Sequence, residues 1–575
     1  MKLPPRGAAV AGAARPRPVR KRPRDAPLPP LADRLRAFLA ASRLAACPAG
    51  TPTVSQGLAR VHASDPRRLV AWPPAAPVEH EGTVLAGSYW VPEAALRAAD
   101  GDYEARAWFT QLTLRPRAGT AAARAMAARG RGPKWHLWYR RDGLVGFPRA
   151  LGLSLFGPPA RDARADGGAL RPEAVVDLAA AGIALRPEQD LALAWTRAAL
   201  DHWGMAMLEA ACGVGKTLLA TVLALERGRR VLVVAPNVDL VEQWMLEMGR
   251  YAPAARVAVL RGSWPADPAA RVPPRVRRAQ DAVRAADVVV TTDESAARAV
   301  WPVDLLRSFG TLVLDEAHLM AARSLSVIVP RVPARFVLGV TATPDRADEL
   351  GHALPWLMGP CAFRYQRVPE LTGVRDTARV ERLRVPVPPA WPIVLRGGEL
   401  AWTPSLVMLS AYDARNDRLV GLLRELLEDR APARRKILVL CAYRDHVAQL
   451  RARCLAEIPS IAGAADPAAA VAVLQSGEPP RERARARVSP AVRVVIATLS
   501  FVKIGYNDPT LDTIVLASPL GTRGTDLAQS TGRVLRGLDG KLQPLVVDLV
   551  DDHDVLQNMA RSRLRYYRAQ GWMIA

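Results

Sequence analysis

One stretch constrains this chain more than any other: Ala210-Ala211-Cys212-Gly213-Val214-Gly215-Lys216-Thr217. Before it runs Met205-Ala206-Met207-Leu208-Glu209, a short apolar segment that reads as a buried strand. After it, Leu218 to Leu225 reads as a helix. A glycine-containing turn between strand and helix, closing on Gly-Lys-Thr, has the chemistry of a phosphate cradle. Backbone N–H groups and the positive end of the helix dipole face the anion. In such a loop Lys216 reaches the β- and γ-phosphates of a nucleotide, and the Thr217 hydroxyl sits on Mg2+.

A phosphate loop of this kind needs a parallel sheet around it, and the chain supplies the strands. Val231–Val234, Asp287–Val290, Leu312–Leu314 and Phe336–Val340 are continuous apolar runs separated by amphipathic stretches. Runs of that sort suit parallel strands covered on both faces. The pattern breaks between about 365 and 412, where Pro and Gly cluster. It resumes with Lys436–Leu440, Val494–Thr498, Thr513–Ala517 and Leu545–Leu549. The expected fold class is therefore α/β, with two tandem parallel-sheet domains. The expected divisions are a Pro/Arg-rich tail (1–30), an accessory domain (31–180), a nucleotide-binding domain (181–370), a linker or insertion (371–412) and a second α/β domain (413–575).

A net charge of +24 over 575 residues favours a polyanionic partner. The tail, with Arg15-Pro16-Arg17-Pro18-Val19-Arg20-Lys21-Arg22-Pro23-Arg24, cannot bury a core and is expected to be disordered. It is an import signal, a phosphate-binding arm or a solvated tail. In the accessory region Trp135-His136-Leu137-Trp138-Tyr139-Arg140-Arg141 interleaves aromatics with cations, a pattern that either stacks on bases or fills a core. Asp142-Gly143 after it marks a hairpin. The cysteines Cys47, Cys212, Cys361, Cys441 and Cys454 are scattered, with no CxxC pair, and offer neither a disulfide framework nor a zinc site. No apolar run is long enough to span a membrane, and the N-terminus lacks the apolar core of a signal peptide. A soluble intracellular protein is expected.

Leu312-Val313-Leu314-Asp315-Glu316-Ala317-His318 puts two carboxylates at the end of a buried strand, where open parallel sheets bind ligands. In that position Asp315 holds Mg2+ and Glu316 orients and deprotonates the attacking water.

At this point the residues resemble superfamily 2 helicases. Ala210 in place of the first loop glycine matches that superfamily's AxxGxGK[ST] form, and residues 315–318 match its DEAH box. Leu185-Arg186-Pro187-Glu188-Gln189 is similar to its adenine-side motif. Ala235-Pro236-Asn237 with Gln243-Trp244 resembles motif Ia. Thr291-Thr292-Asp293-Glu294-Ser295 resembles the next strand-end motif on the nucleic-acid track. Thr341-Ala342-Thr343-Pro344-Asp345-Arg346 resembles motif III, Ala497-Thr498 through Gly505 and Pro509 motif V, and Gln529-Ser530-Thr531-Gly532-Arg533-Val534-Leu535-Arg536 motif VI. The resemblance covers roughly residues 185 to 550. The TATPxR extension, the Gln-type motif VI and Arg415-Asn416-Asp417-Arg418 look most like the UvsW-like and XPB-like DNA helicases. Gly146-Phe147-Pro148-Arg149 and Pro355-Trp356-Leu357-Met358-Gly359-Pro360 resemble helicases of large DNA viruses, including the poxvirus transcript-release type.

What the resemblance implies is two RecA-like domains sharing one ATP with Mg2+. Arg186 and Gln189 lie on the adenine side, and Ala210 to Thr217 hold the phosphates. Gln529, Arg533 and Arg536 reach the γ-phosphate from the second domain. Gly505 and Asn507 lie at the ribose, and His318, Thr341 and Thr343 couple hydrolysis to the track. Motif V departs from its relatives, with Ile504 and Asn507 at usually acidic positions, which leaves Asp508 as the nearest acid. The implied partner is nucleic acid, with DNA favoured and RNA left open, and the implied setting includes the nucleus, a viral factory or the virion. Three functions stay open: a DNA helicase or duplex translocase, an RNA helicase or transcript-release ATPase, and a nucleic-acid-binding protein with an inactive nucleotide site.

Overall fold

The computed structural model describes residues 82–99, 112–114 and 135–575, with short gaps of which the main ones are 211–213, 266–270, 319–321, 342–352, 366–377, 395–399, 430–434, 500–507, 521–526, 528–530 and 532–540. The tail expected over 1–30 lies outside the described residues.

A small mixed sheet comes first. Its strands are β1 (Val84–Leu85) and β2 (Tyr89–Pro92), then, after a separate two-stranded ladder of β3 (Thr113–Leu114) and β4 (Trp135–His136), β5 (Tyr139–Arg141), β6 (Leu144–Phe147) and β7 (Arg161–Asp162). The order is β5-β6-β2-β1-β7. Asp142 and Gly143 join β5 to β6 with φ of +52° and +73°. That is the left-handed pair a two-residue hairpin requires, and it explains why Asp-Gly stands there.

The first parallel sheet contains β8 (Met205–Ala210), β9 (Val231–Ala235), β10 (Val257–Val259), β11 (Val288–Thr292), β12 (Thr311–Leu314), β13 (Phe336–Thr341) and β14 (Cys361–Tyr365). Its order is β10-β11-β9-β12-β13-β8-β14, every pair parallel. Strands β8, β9 and β12 are buried at every residue, which is why they read as unbroken apolar runs. Each such Val or Leu contributes roughly 1.5–3 kcal/mol by leaving water. The order brings the C-terminal ends of β8, β13, β12 and β9 side by side, which is the crevice where ligands of such sheets bind.

The small sheet is not a detached module. Tyr89, Val145, Phe147 and Leu151 share one buried cluster with Met207, Leu232, Leu314 and Trp356 of the first α/β domain. Arg149 is 1% exposed and bridges the two bodies. Its guanidinium donates to the carbonyls of Gly87 (3.1 Å), Ala334 (2.8 Å) and Val332 (3.0 Å). Burial lowers its pKa to about 9. Gly87 presses against the end of the helix Ala322–Arg331 so closely that a Cβ there would lie 1.8 Å from the Pro330 carbonyl oxygen. The aromatic stretch serves the same junction. Leu137 is buried, Trp138 packs against the shared core, and the Tyr139 hydroxyl donates to the Ser326 carbonyl. Leu137, Trp138 and Tyr139 thus contribute to the packing of this junction.

The second parallel sheet has β15 (Arg379–Val385), β16 (Ile437–Cys441), β17 (Val471–Leu474), β18 (Val494–Thr498), β19 (Thr513–Leu516), β20 (Leu545–Asp551) and β21 (Met573–Ile574). Its order is β17-β18-β16-β19-β20-β15-β21, again all parallel. One expectation is corrected here. Residues 371–412, expected as linker or insertion, contribute β15, which pairs with β20 from Arg379↔Leu545 to Val385↔Asp551. Its sequence RVERLRV lacks the continuous apolar run of its neighbours because the ladder with β21 covers only Arg379 and Val380, leaving most of one edge open.

Candidate functional site

The helix Lys216–Leu225 starts at Gly215, whose φ is +93°. A side chain is excluded there twice over: the backbone is left-handed, and a Cβ would come within 2.7 Å of Gln189 Nε2. Gln189 begins the next helix in space, Pro187–Trp203, and is 6% exposed. Its Oε1 accepts the Arg186 N–H (2.9 Å), and its Nε2 donates to the Val214 carbonyl (2.7 Å). The Arg186 guanidinium donates to the same carbonyl (2.8 Å). Arg186 and Gln189 thus both brace Val214, just before the helix that Lys216 begins.

Across the crevice, the turn after β12 carries the acids. The Asp315 N–H donates to the Val234 carbonyl (3.0 Å) and the Ala317 N–H to the Val340 carbonyl (3.1 Å), which pins the turn to β9 and β13. Glu316 sits at φ +44°, a left-handed conformation unusual for a residue with a Cβ. From there its Oε1 lies 3.0 Å from Lys216 Nζ and its Oε2 3.4 Å from His318 Nδ1. His318 Nδ1 in turn lies 2.7 Å from Thr341 Oγ1, at the end of β13. Lys216, Glu316, His318 and Thr341 therefore form one continuous polar chain from the phosphate-loop helix to motif III.

Asp315 is held differently. The Trp244 indole N–H donates to its Oδ2 (2.7 Å) and the Glu316 N–H to its Oδ1 (2.9 Å). Burial and the neighbouring Glu316 charge push its carboxyl up to about 6, against the opposing pull of Trp244 and Lys216. Adjacent carboxylates so crowded are stabilised by a divalent cation. Thr217 and Asp315 offer hard oxygen donors. A sparse oxygen set suits Mg2+, which keeps several waters and takes substrate phosphate oxygens. These residues fit that ion, which would neutralise developing charge on a phosphoryl group.

Ala210 is the last residue of β8 and buried, and Val214, Lys216 and Thr217 follow in the expected places. Ala211, Cys212, Gly213, Thr343, Gly505, Asn507, Gln529, Arg533 and Arg536 lie outside the described residues. Asp508, the nearest acid in motif V, is not available to a ribose: it is 1% exposed and pairs with Lys436 Nζ at 2.8 Å. Sequence reasoning missed the role of Trp244. It stood inside the motif Ia resemblance, but only the adjacency of β9 and β12 brings it to Asp315. Glu209, buried at the end of β8 and paired with Arg364 of β14 at 2.7 Å, gave no sequence signal.

A family model, the type III restriction enzyme res subunit (ResIII), matches residues 182–346. The matched segment includes every described residue of the site, from Arg186 to Thr341. Relatives that match parts of the chain are named as helicases and translocases. A protein of Acanthamoeba polyphaga mimivirus, named as an ATP-dependent RNA helicase, is 22% identical over 383 residues, 65% of this chain and 66% of its own length. A DNA 3′–5′ translocase XPB2 of Sulfurisphaera tokodaii is 28% identical over 161 residues, 28% of this chain and 32% of its own. A probable helicase of Escherichia phage T5 is 23% identical over 364 residues, 63% of this chain and 71% of its own.

Proposed function

We propose that this chain is an ATP-dependent helicase or translocase that moves along nucleic acid, with DNA as its track. The observation that carries the reading is the polar chain from Lys216 through Glu316 and His318 to Thr341. It ties the group that holds the γ-phosphate and the base that activates water to a strand end where the resemblance places the coupling motif. Asp315 and Thr217 would hold Mg2+, which would supply positive charge to the phosphates. Arg533, Arg536 and Gln529, by resemblance, come from the second domain and stabilise phosphoryl charge, so that hydrolysis requires the two lobes to close. Closure and opening shift the grip on a phosphate backbone, and the net charge of +24 supports a polyanionic track.

The name of the mimivirus relative favours a second reading, in which the track is RNA. A binding protein with an inactive nucleotide site fits poorly, because Lys216, Glu316 and Asp315 stand in one intact cluster.

The test is ATP hydrolysis measured separately with duplex DNA, single-stranded DNA and RNA, then repeated for Lys216→Ala and Glu316→Gln. Stimulation by DNA that both substitutions abolish is the expected result. Stimulation by RNA alone rejects the DNA track, and unchanged turnover in both variants rejects the site.

A further inference from the structure

A groove lies on the second sheet, between β15 and the helix Asp554–Ala569. It has a volume of about 470 Å³ and is lined by Arg382, Arg384, Val550, Asp552, Gln557 and Arg561. Arg382 and Arg384 alternate with Leu383 along β15 and so stand on one face, roughly 7 Å apart. Arg561 faces them from one turn beyond Gln557 on the helix.

The charges here are not balanced. Arg382 Nε is buried and has no hydrogen-bond partner. Its acidic neighbour Asp548 is ion-paired with Arg563 at 2.7 Å and acts on Arg382 through space, without a hydrogen bond to it. Among the described residues no acid pairs with Arg384, and Arg561 donates only to the neutral Asn558 (2.8 Å). Asp552, the one acid in the lining, accepts the Gln557 amide (2.9 Å). A second cavity of about 600 Å³ adjoins at Arg382, but its other arginines are satisfied: Arg379 pairs with Glu381 (3.2 Å) and Arg435 with Asp512 (3.2 Å). Of these two cavities, this groove is thus the one whose arginines lack acid partners.

We infer that this groove binds the phosphodiester backbone of the nucleic-acid track, as a contact separate from the motor crevice. The inference rests on the proposed function for the identity of the polyanion. Guanidinium groups are the side chains best matched to phosphate oxygens. Three of them with one acid read charge and carry little base information. The groove also lies on the second sheet, whereas the strand-end motif that the resemblance puts on the track, residues 291–295, closes β11 of the first sheet. A polynucleotide held here leaves the moving cleft and is kept from dissociating while the lobes change grip.

The test compares the full chain with an Arg384→Glu/Arg561→Glu variant and with Arg382→Gln, using a fluorescent single-stranded oligodeoxythymidylate over a range of salt. The control is Arg418→Glu, an exposed arginine on the helix Asp413–Arg424, which packs on the opposite face of the sheet. The double variant should bind about tenfold more weakly at low salt, with the slope of log K against log salt reduced by about 0.7 for each phosphate no longer neutralised. ATP hydrolysis without nucleic acid should be unchanged. Wild-type affinity and slope in the double variant and in Arg382→Gln overturn the groove, as does an equal loss in Arg418→Glu. Failure of the unsubstituted protein to bind any polynucleotide overturns the proposed function and the groove together.

Discussion

The indole N–H of Trp244 lies 2.7 Å from Oδ2 of Asp315, inside the protein, and joins the helix after β9 to the acid after β12. It is a hydrogen bond to the charged form of a carboxylate that burial pushes up to about 6. Trp244→Phe keeps most of the packing and removes the donor. Loss of a partner behind a metal-binding carboxylate typically costs about 10–100-fold in metal affinity or activity. The expected outcome is a higher Mg2+ requirement for ATP hydrolysis, read from a Mg2+ titration at saturating ATP, with thermal stability lowered only modestly.

Thr341→Val cuts the link between His318 and β13 while preserving shape. ATP hydrolysis without nucleic acid should stay within a few-fold of the unsubstituted protein, whereas strand displacement or translocation per ATP should fall about tenfold, an effect equal to about 1.4 kcal/mol. A parallel fall in both rates would show that Thr341 serves the chemistry and not the coupling.

Arg149→Met removes a guanidinium that satisfies three carbonyls at the seam between the small sheet and the first α/β domain. Buried acceptors left without donors cost about 1–3 kcal/mol each. Thermal unfolding should shift down by several degrees or more, and limited proteolysis should open the chain near residues 82–99 first. Arg149→Lys, which can reach only part of the set, should fall between the two.

His446 sets a pH dependence remote from the crevice. It is 2% exposed, and its Nε2 lies 3.0 Å from Asn416 Oδ1. Burial, together with the Arg415 charge, lowers its pKa to about 3. Below its ordinary value of about 6.5 the unfolded chain takes up a proton that the folded chain refuses. Stability from this residue is therefore complete above about pH 6.5 and is lost as the pH falls toward 3, at up to ~1.4 kcal/mol per unit. Denaturant unfolding between pH 7 and 5 should show a steeper loss in the natural protein than in His446→Gln. Identical slopes would refute the assignment.

The parallel strands were legible because burial on both faces leaves no room for polar alternation, so β8, β9, β12, β16 and β18 each announce themselves. Strand β15 was not, since an open edge lets Arg382 and Arg384 stand in it. That Lys216, Asp315 and Glu316 come together was legible because each lies in a short, local motif at the end of a buried strand. Trp244 and Arg149 were named in the sequence only as parts of resembling motifs. Their contacts depend on strand order and on which faces meet, and neither is written in any local period. The same holds for Trp138 and Tyr139, whose spacing suits a base-stacking surface and a core equally well.

The cluster shared by Tyr89, Phe147, Met207 and Leu314 has one practical consequence. Trimming the protein to its motif-bearing half would strip a wall from the engine housing, and the exposed grease would drive those fragments to clump before any of them could turn over fuel.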